Sequence, residues 1–526
     1  MVEHMWWQRG VIYQVYPRSF MDGNGDGVGD LTGLRERLDY LAWLGVDALW
    51  ITPIQPSPML DFGYDITDYA DIDPLFGDLA AFDDLIAAAH ARGIRIILDF
   101  VPNHTSDRHP WFIDACSSRK SAKRDWYVWQ DPLPDGGPPN NWRSHFGGLA
   151  WEMHQPTGQY YLRTFLPQQP DLNWRNPAVQ AAMHQVMRFW LDRGVDGLRL
   201  DAIWHLIKDE QLRNNPPNPG WQDNQPEHER LLHVFTSDRP EMQGLLRSMR
   251  KVVDAYPERV LIAELYLSTE RTVSYYGREG DGVHLPANTA LLGTPWNAES
   301  MAAAIDQYEA ALPTHGWPNW SLGNHDQPRV ASRVPAGQER LAAMLLLTLR
   351  GTPLLYYGDE IGMRNVPIPP ERLQDPIEKN MPGLGRGRDP QRTPMQWDHS
   401  ANAGFSQGEP WLPLAEDAAQ VNVASQRDDP ASVLQLYRRL IQLRREHPAL
   451  AVGSYRGLAA PLGALVFERE HEGRQIRVAL NFSDRPCSIA MPPGEMLLES
   501  TAGATVRTAE SGTLQLAGGA GVIVAL

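Results

Sequence analysis

The sequence predicts an α/β chain built on a (β/α)8 TIM barrel, with a loop-rich subdomain inserted after the third strand and an antiparallel β domain at the C-terminal end. Three observations carry that expectation. Short β-branched and aromatic runs alternate with amphipathic helical stretches, as a parallel α/β sheet requires. Seven such runs and a weakly marked eighth spread over roughly 350 residues, which suits a closed barrel better than an open doubly wound sheet. No glycine-rich dinucleotide fingerprint opens any helix, so the open-sheet alternative has little support.

In chain order the strand candidates are Val11–Tyr16, Ala48–Thr52, Arg95–Val101, Gly197–Asp201, Val260–Tyr266, Asn319–Leu322 and Pro353–Tyr357, with the weak one near Val283–Pro286. Helical spacing is plain in Leu31–Leu44, in Leu79–Arg92 and in Val179–Leu191, each placed before a strand. Three segments rich in turn residues interrupt this rhythm: the long stretch after Val101, Asn214 to Gln225, and Pro367 to Gly408. All three follow strands and so fall on the C-terminal face, where barrel enzymes place their chemistry. After the helix expected over Val433–His447 come short alternating segments, Ala464–Arg469, Ile476–Phe482, Met496–Glu499 and Leu514–Val524, with Gly and Pro between them. The expected division is therefore barrel over 1–103, inserted subdomain over 104–176, barrel again over 177–455, and β domain over 456–526.

Bulk properties narrow the partner. A formal charge of −16 repels phosphate backbones and anionic lipid, so neither nucleic acid nor membrane is expected. Eighteen Trp and 17 Tyr supply flat faces that suit sugar rings. Cys116 and Cys487 stand far apart, giving neither a disulfide framework nor a zinc spacing. The N-terminus lacks the basic and apolar regions of a signal peptide, and the apolar stretch Leu341 to Leu349 falls well short of the roughly 20 residues a bilayer span needs. A cytoplasmic protein acting on a small neutral ligand is the expectation.

Polar groups gather where the strands end: Asp99 with Asn103 and His104, Arg199 with Asp201, Glu264, and Asn324-His325-Asp326. One such Asp is an ordinary helix cap or loop anchor, but several at the ends of different strands of one barrel converge on one pocket. Carboxylates held close raise one another's pKa, and catalysis is the usual reason for that arrangement. Two such carboxyls divide the work when one is ionised and attacks a carbon while the other is protonated and serves the leaving oxygen. Asp201 suits the first role, because Arg199 lies two residues back on the same strand face. Glu264, preceded by apolar Leu261, Ile262 and Ala263, suits the second. A Schiff-base lysine or a metal-binding histidine set at the strand ends is not evident, and no organic cofactor is expected.

The ordered segments Asp99–His104, Gly197–Ala202, Ala263–Tyr266 and Leu322–Asp326 resemble the four sequence regions of the α-amylase family of glycoside hydrolases. Val11–Phe20, Gln169–Trp174 and Arg392–Trp397 resemble its oligo-1,6-glucosidase and α-glucosidase branch. The resemblance implies the same roles for Asp201 and Glu264, and adds Asp326 as the third catalytic carboxylate, with His104 and His325 as hydroxyl donors. It places Tyr64 as the platform under the terminal glucose, and Asp65 with Arg392 as the clamp on the far hydroxyls. Arg388, four residues from Arg392, is the substitute for that clamp if the loop geometry differs.

Asp22-Gly-Asn24-Gly-Asp26-Gly-Val28-Gly-Asp30 carries oxygen side chains at alternate positions between glycines, which suits a hard cation although the full EF-hand spacing is missing. The resemblance supports a structural calcium held by Asp22, Asn24, Asp26, Asp30 and the Val28 carbonyl. It also implies an exo-acting α-glucosidase that cleaves terminal bonds of short oligosaccharides, with transglucosylation as an accompanying reaction. The runner-up is a glucosyltransferase that isomerises sucrose or maltose. Ala202 stands where the branch commonly carries valine in enzymes preferring α-1,6 bonds, so α-1,4 bonds are the expected preference. One departure, Leu285-Pro286-Ala287 without the usual aromatic, implies a wider pocket near the sixth strand.

Overall fold

A computed structural model describes residues 4–508 and 512–526. Eight parallel strands form the central sheet: Ile12–Val15, Ala48–Ile51, Arg95–Phe100, Gly197–Leu200, Val260–Ala263, Leu285–Pro286, Asn319–Ser321 and Thr352–Tyr356. Nearly every strand residue is buried, as expected of parallel strands covered on both faces. The paired order runs from the seventh strand through the eighth and first round to the sixth. Among the described residues no ladder joins the sixth strand to the seventh. Asn319 bridges that joint with its side chain, Nδ2 donating to the Pro286 carbonyl at 2.7 Å and Oδ1 accepting from Asn288 N at 2.9 Å.

The two-residue period of the strands builds both the barrel interior and the site. Ile12, Ala48, Trp50, Ile97, Val260, Ile262, Leu285 and Leu354 form one inner cluster, closed at the N-terminal end by Trp7 and Trp317. Continuing the same inward parity toward the strand ends gives Gln14, Asp99, Arg199, Asp201 and Glu264. Gly197 is required in that interior, since a Cβ there would lie 2.4 Å from Val260 Cγ1.

Most helices begin where the sequence offers a cap. Asp30, Asp78, Asn176 and Ser432 each accept an N–H of the first turn of Leu31–Glu36, Leu79–His90, Pro177–Asp192 and Val433–Glu446. The single helix expected over Leu31–Leu44 is two, because Arg37 leaves helical geometry at φ −95°, ψ 4° before Leu38–Leu44 resumes.

The stretch after the third strand holds the helix Pro110–Ser117 and a three-stranded antiparallel sheet of Trp129–Gln130, Gln159–Leu162 and Trp151–His154. At the C-terminal end, sheets of five and three antiparallel strands enclose a small core around Ile489, Leu514, Leu516, Val522 and Val524. Buried Arg469 ties this unit to the barrel by donating to the carbonyls of Thr348, Leu450, Gly453 and Ser454. No helix of the described residues is long and apolar enough to cross a membrane.

Candidate active site

At the C-terminal ends of the strands, one guanidinium organises three carboxyls. Arg199 Nη1 donates to Asp99 Oδ1 at 2.9 Å and to Asp201 Oδ1 at 2.8 Å, while Nη2 meets Glu264 Oε1 at 2.7 Å. Asp201 and Glu264 each follow a strand directly, their amides bonded to the Phe100 and Leu200 carbonyls, so the ladder itself fixes where the acids stand. The other Glu264 oxygen accepts the Ala202 amide at 2.8 Å. Ala202 adopts a left-handed conformation at φ 45°, and that turn aims its N–H at Glu264.

The electrostatics depart from the simple expectation that Arg199 holds Asp201 ionised. Burial pushes Asp201 well up from the ordinary carboxylate range, the Glu264 charge adds to this, and Arg199 opposes both. Burial pushes Glu264 up as well, against Arg199. One cation shared among three carboxyls only partly offsets their burial, so Asp201 and Glu264 both take up protons more readily than free carboxyls. A pair with one proton is the protonation state a nucleophile and an acid need together.

Asp326 is different. Burial alone would raise it, but His325, Arg388 and Arg392 outweigh burial and hold it well below the usual range. Gln14 Nε2 donates to His325 Nδ1 at 2.7 Å, which places the ring proton on Nε2, 2.8 Å from the Tyr64 hydroxyl and 3.1 Å from Asp326. Tyr64 donates in turn to Asp99 Oδ2 at 3.0 Å, with its ring parallel to that of His325. His104 packs beside Tyr64, its Nε2 3.0 Å from the Tyr64 carbonyl.

Asp65 and Arg392, expected to form the clamp, do not line the cavity. Asp65 is fully buried and accepts from Ser57 Oγ, Leu60 N and Asp61 N, so it braces the turn from beneath. Its burial, unrelieved by any cation, pushes its pKa up to about 6. Arg392 is likewise fully buried, donating to the His325 carbonyl and to Asp326 Oδ1 at 2.8 Å, and it positions Asp326 from behind. The pair that faces the cavity is Asp61 and Arg388, 2.7 Å apart. Asp375 secures Arg388 at 2.8 Å, Phe146 packs against its guanidinium, and its Nη1 reaches Asp326 Oδ1 at 3.3 Å. Of the two acids flanking Phe62-Gly63-Tyr64, the first lines the cavity and the second does not. Asp375 had no signal in the sequence.

These groups line one cavity of about 900 Å³, with Asp61, Tyr64, His104, Asp201, Glu264, His325, Asp326 and Arg388 on its wall. The remaining lining mixes aromatic residues, including Phe165, Trp204 and Tyr266, and apolar ones with polar side chains, among them several histidines. Such a chamber takes a small polyhydroxylated ring: flat faces to stack on, charged groups to grip hydroxyls, and a protonatable acid pair at one point.

The loop Asp22–Asp30 lies away from this cavity, beside residues 405–411. Asp22 accepts from the amides of Asn24, Gly25 and Gly27 and from Ser406 Oγ; Asn24 and Asp26 each accept one loop amide; Asp30 accepts Gly23 N and Gly33 N. Hydrogen bonds from the chain thus shape the loop, and Asn24 and Asp26 keep acceptor capacity for a hard cation.

With this geometry, the chain matches the family described as alpha amylase, catalytic domain, over residues 14–453. The chain belongs to the alpha-amylase family. It is 42% identical over 463 residues to an alpha-glucosidase of Culex pipiens, covering 86% of this chain and 77% of that protein. It is 37% identical over 528 residues to an oligo-1,6-glucosidase of Parageobacillus thermoglucosidasius, covering 93% of each. Among solved structures, an alpha-glucosyl transfer enzyme superposes with a TM-score of 0.93 at 41% identity, covering 99% of this chain and 100% of that one. The trehalulose synthase of Pseudomonas mesoacidophila MX-45 gives 0.91 at 34% identity, with the same coverage. This alpha-amylase-family chain is thus a glycoside hydrolase of the group that its α-glucosidase relatives represent.

Proposed function

We propose that this enzyme is a retaining, exo-acting α-glucosidase that hydrolyses terminal α-glucosyl bonds of short oligosaccharides, with α-1,4 bonds preferred and transglucosylation accompanying hydrolysis. The observation that carries the reading is the Arg199-bridged pair Asp201 and Glu264 in a cavity walled by the Asp61–Arg388 ion pair. Asp201 attacks the anomeric carbon as Glu264 gives its proton to the glycosidic oxygen and that bond breaks; water then takes the glucosyl group from Asp201 while Glu264 accepts the water's proton. Asp326, Tyr64, His104 and His325 bind the glucosyl ring, Arg199 spreads the charge of the acids, and Arg392 positions Asp326. The ion pair across the cavity supports recognition of a chain terminus, since two charged groups on sugar hydroxyls fix one orientation.

A second reading, glucosyl transfer or sucrose isomerisation, is favoured by the likeness to the alpha-glucosyl transfer enzyme and the trehalulose synthase. It uses the same residues and differs in how long water is kept from the glucosyl-enzyme. Product analysis by chromatography and NMR on maltose, isomaltose, sucrose, trehalose and kojibiose separates the two. Release of α-glucose with minor oligosaccharide supports hydrolysis, conversion of sucrose to an isomer supports the second reading, and β-glucose as first product refutes retention. Calcium in the Asp22–Asp30 loop would be structural, held by the side-chain oxygens of Asp22, Asn24, Asp26 and Asp30 and the Val28 carbonyl. Both cysteines are free thiols, which supports a cytoplasmic setting.

A further inference from the structure

The wall of the substrate cavity carries a histidine cluster that the proposed reaction does not use. His145 comes from the stretch inserted after the third strand, His205 follows the fourth strand, and His228 and His233 come from the segment between Gln225 and the helix Met242–Val253. Ring centroids of His145 lie 4.3 Å from His228, 4.8 Å from His205 and 5.3 Å from His233. One ligand atom each of His145, His228 and His233 falls within 4.8 Å of the others, and this is the one such group found among the described residues.

Two features separate this cluster from an ordinary packed aromatic patch. His228 Nδ1, His233 Nε2 and His205 Nε2 are buried with no hydrogen-bond partner. Buried polar atoms normally find a hydrogen-bond partner, so three unsatisfied nitrogens in one place call for a ligand. In addition, the rings are held from behind. Thr236 Oγ1 stands 3.3 Å from His233 Nδ1, and the Thr236 carbonyl 3.4 Å from His205 Nδ1, so both rings turn their free Nε2 away from that support. Orientation of one ring nitrogen by an outer partner is how proteins aim imidazole at a metal.

We propose that His145, His228 and His233 form a site for Zn2+, or another divalent cation that favours imidazole, on the wall of the substrate cavity, where the bound ion obstructs the sugar. Three histidines with a fourth position open to water or a hydroxyl are an established zinc geometry, and imidazole suits Zn, Cu and Ni far better than Ca or Mg. All three side chains line the same cavity as Asp201 and Glu264. Phe165 stands between His145 and His104, 5.8 Å and 5.3 Å from them, so an ion on the cluster sits beside the sugar path and not on the catalytic pair.

Binding is independent of the proposed activity, while inhibition rests on it. The full-length protein, stripped with chelator and desalted, is titrated with ZnCl2 by calorimetry, and with CoCl2 by visible absorbance. One zinc per chain, a tetrahedral cobalt spectrum displaced by zinc, and no competition by excess Ca2+ are expected. His145→Ala/His228→Ala, and separately His233→Asn, should remove stoichiometric binding while keeping the circular dichroism of the parent. Zinc should slow turnover of maltose reversibly, with chelator restoring the rate, and the double variant should be insensitive. Absence of one-to-one binding by the parent, or binding that survives both variants, overturns the site. Binding without inhibition of an active enzyme overturns the obstruction. If no glycosidase activity is found, zinc stoichiometry still decides the site, so the two failures are distinct.

Discussion

Replacing Arg388 by Met should destabilise the protein most at neutral pH and least in mild acid. Arg388 is buried among Asp61 at 2.7 Å, Asp375 at 2.8 Å and Asp326 at 3.3 Å. Breaking a buried ion pair from one side costs about 3–5 kcal/mol, because the partner charges stay buried without compensation. At roughly 2.1 cal/mol/K per residue the unfolding entropy of 526 residues is about 1.1 kcal/mol/K, so the melting temperature should fall by about 3–5 °C at pH 7. The sign follows from the carboxyls. In the parent, burial raises Asp375 but Arg388 more than offsets it; His325, Arg388 and Arg392 do the same for Asp326. A depressed folded pKa gives stability that is present above the unfolded value near 3.9 and is lost only as pH falls through the lower folded value. Without the Arg388 guanidinium, the burial of Asp375 is opposed only by Arg392 and backbone amides, so its carboxyl rises, a penalty felt at pH 7 and relieved as protons bind on the way to pH 4. Differential scanning calorimetry of both proteins between pH 4 and 8 should therefore give a melting-point gap that narrows with acidity. A gap of the same size at pH 4 and pH 7 would refute the reasoning, and point to lost packing against Phe146 instead.

Asp201→Asn should abolish turnover with little change in melting temperature, since only charge is removed; activity within about tenfold of the parent would exclude Asp201 as nucleophile. Glu264→Gln should stop hydrolysis of maltose yet spare the first step on aryl glucosides, whose leaving groups need less protonation, and burst kinetics would reveal it. Ala202→Val should move the maltose-to-isomaltose ratio of kcat/KM toward isomaltose by about 1–3 kcal/mol, as a methyl-scale change in a pocket does. Its left-handed backbone and near-complete burial should add about 1–3 kcal/mol of instability, so denaturation is measured beside the kinetics. Removing calcium from zinc-free protein should lower the melting temperature without altering the rate at low temperature, because an ion bound only by the native loop acts by mass action; identical melting curves would argue for a loop shaped by its own amides.

The barrel was legible because parallel strands buried on both faces are written as continuous apolar runs, and seven of these were plain. The sixth, only Leu285–Pro286, is too short to carry a pattern. At the C-terminal end, Ser454–Leu458 went unread because its residues are largely exposed and supply no alternation, while Leu514–Val524 is two strands separated by a turn at Gly518 and Gly519. For the site, sequence order identified which strand ends bear the acids, since the ladder dictates their direction. It did not decide between Asp61 and Asp65, or between Arg388 and Arg392, because turns at those places choose which side chain enters the cavity: Phe62 at φ 51° reverses the chain between the first pair. The histidine cluster draws on three separated segments, and no local spacing announces it.

The joint between the sixth and seventh strands makes the barrel a split ring. Elsewhere round the hoop backbone ladders join neighbouring strands, whereas at this one joint the side-chain amide of Asn319 takes their place. Glu264 stands at the end of the fifth strand, one strand from the cut, while Asp201 belongs to the fourth, farther round the uninterrupted arc. Glu264 is thus nearer the joint than Asp201 is. Of the two carboxyls proposed to react, the one that would pass a proton is the nearer to the joint, and the one that would carry the covalent bond is the farther from it.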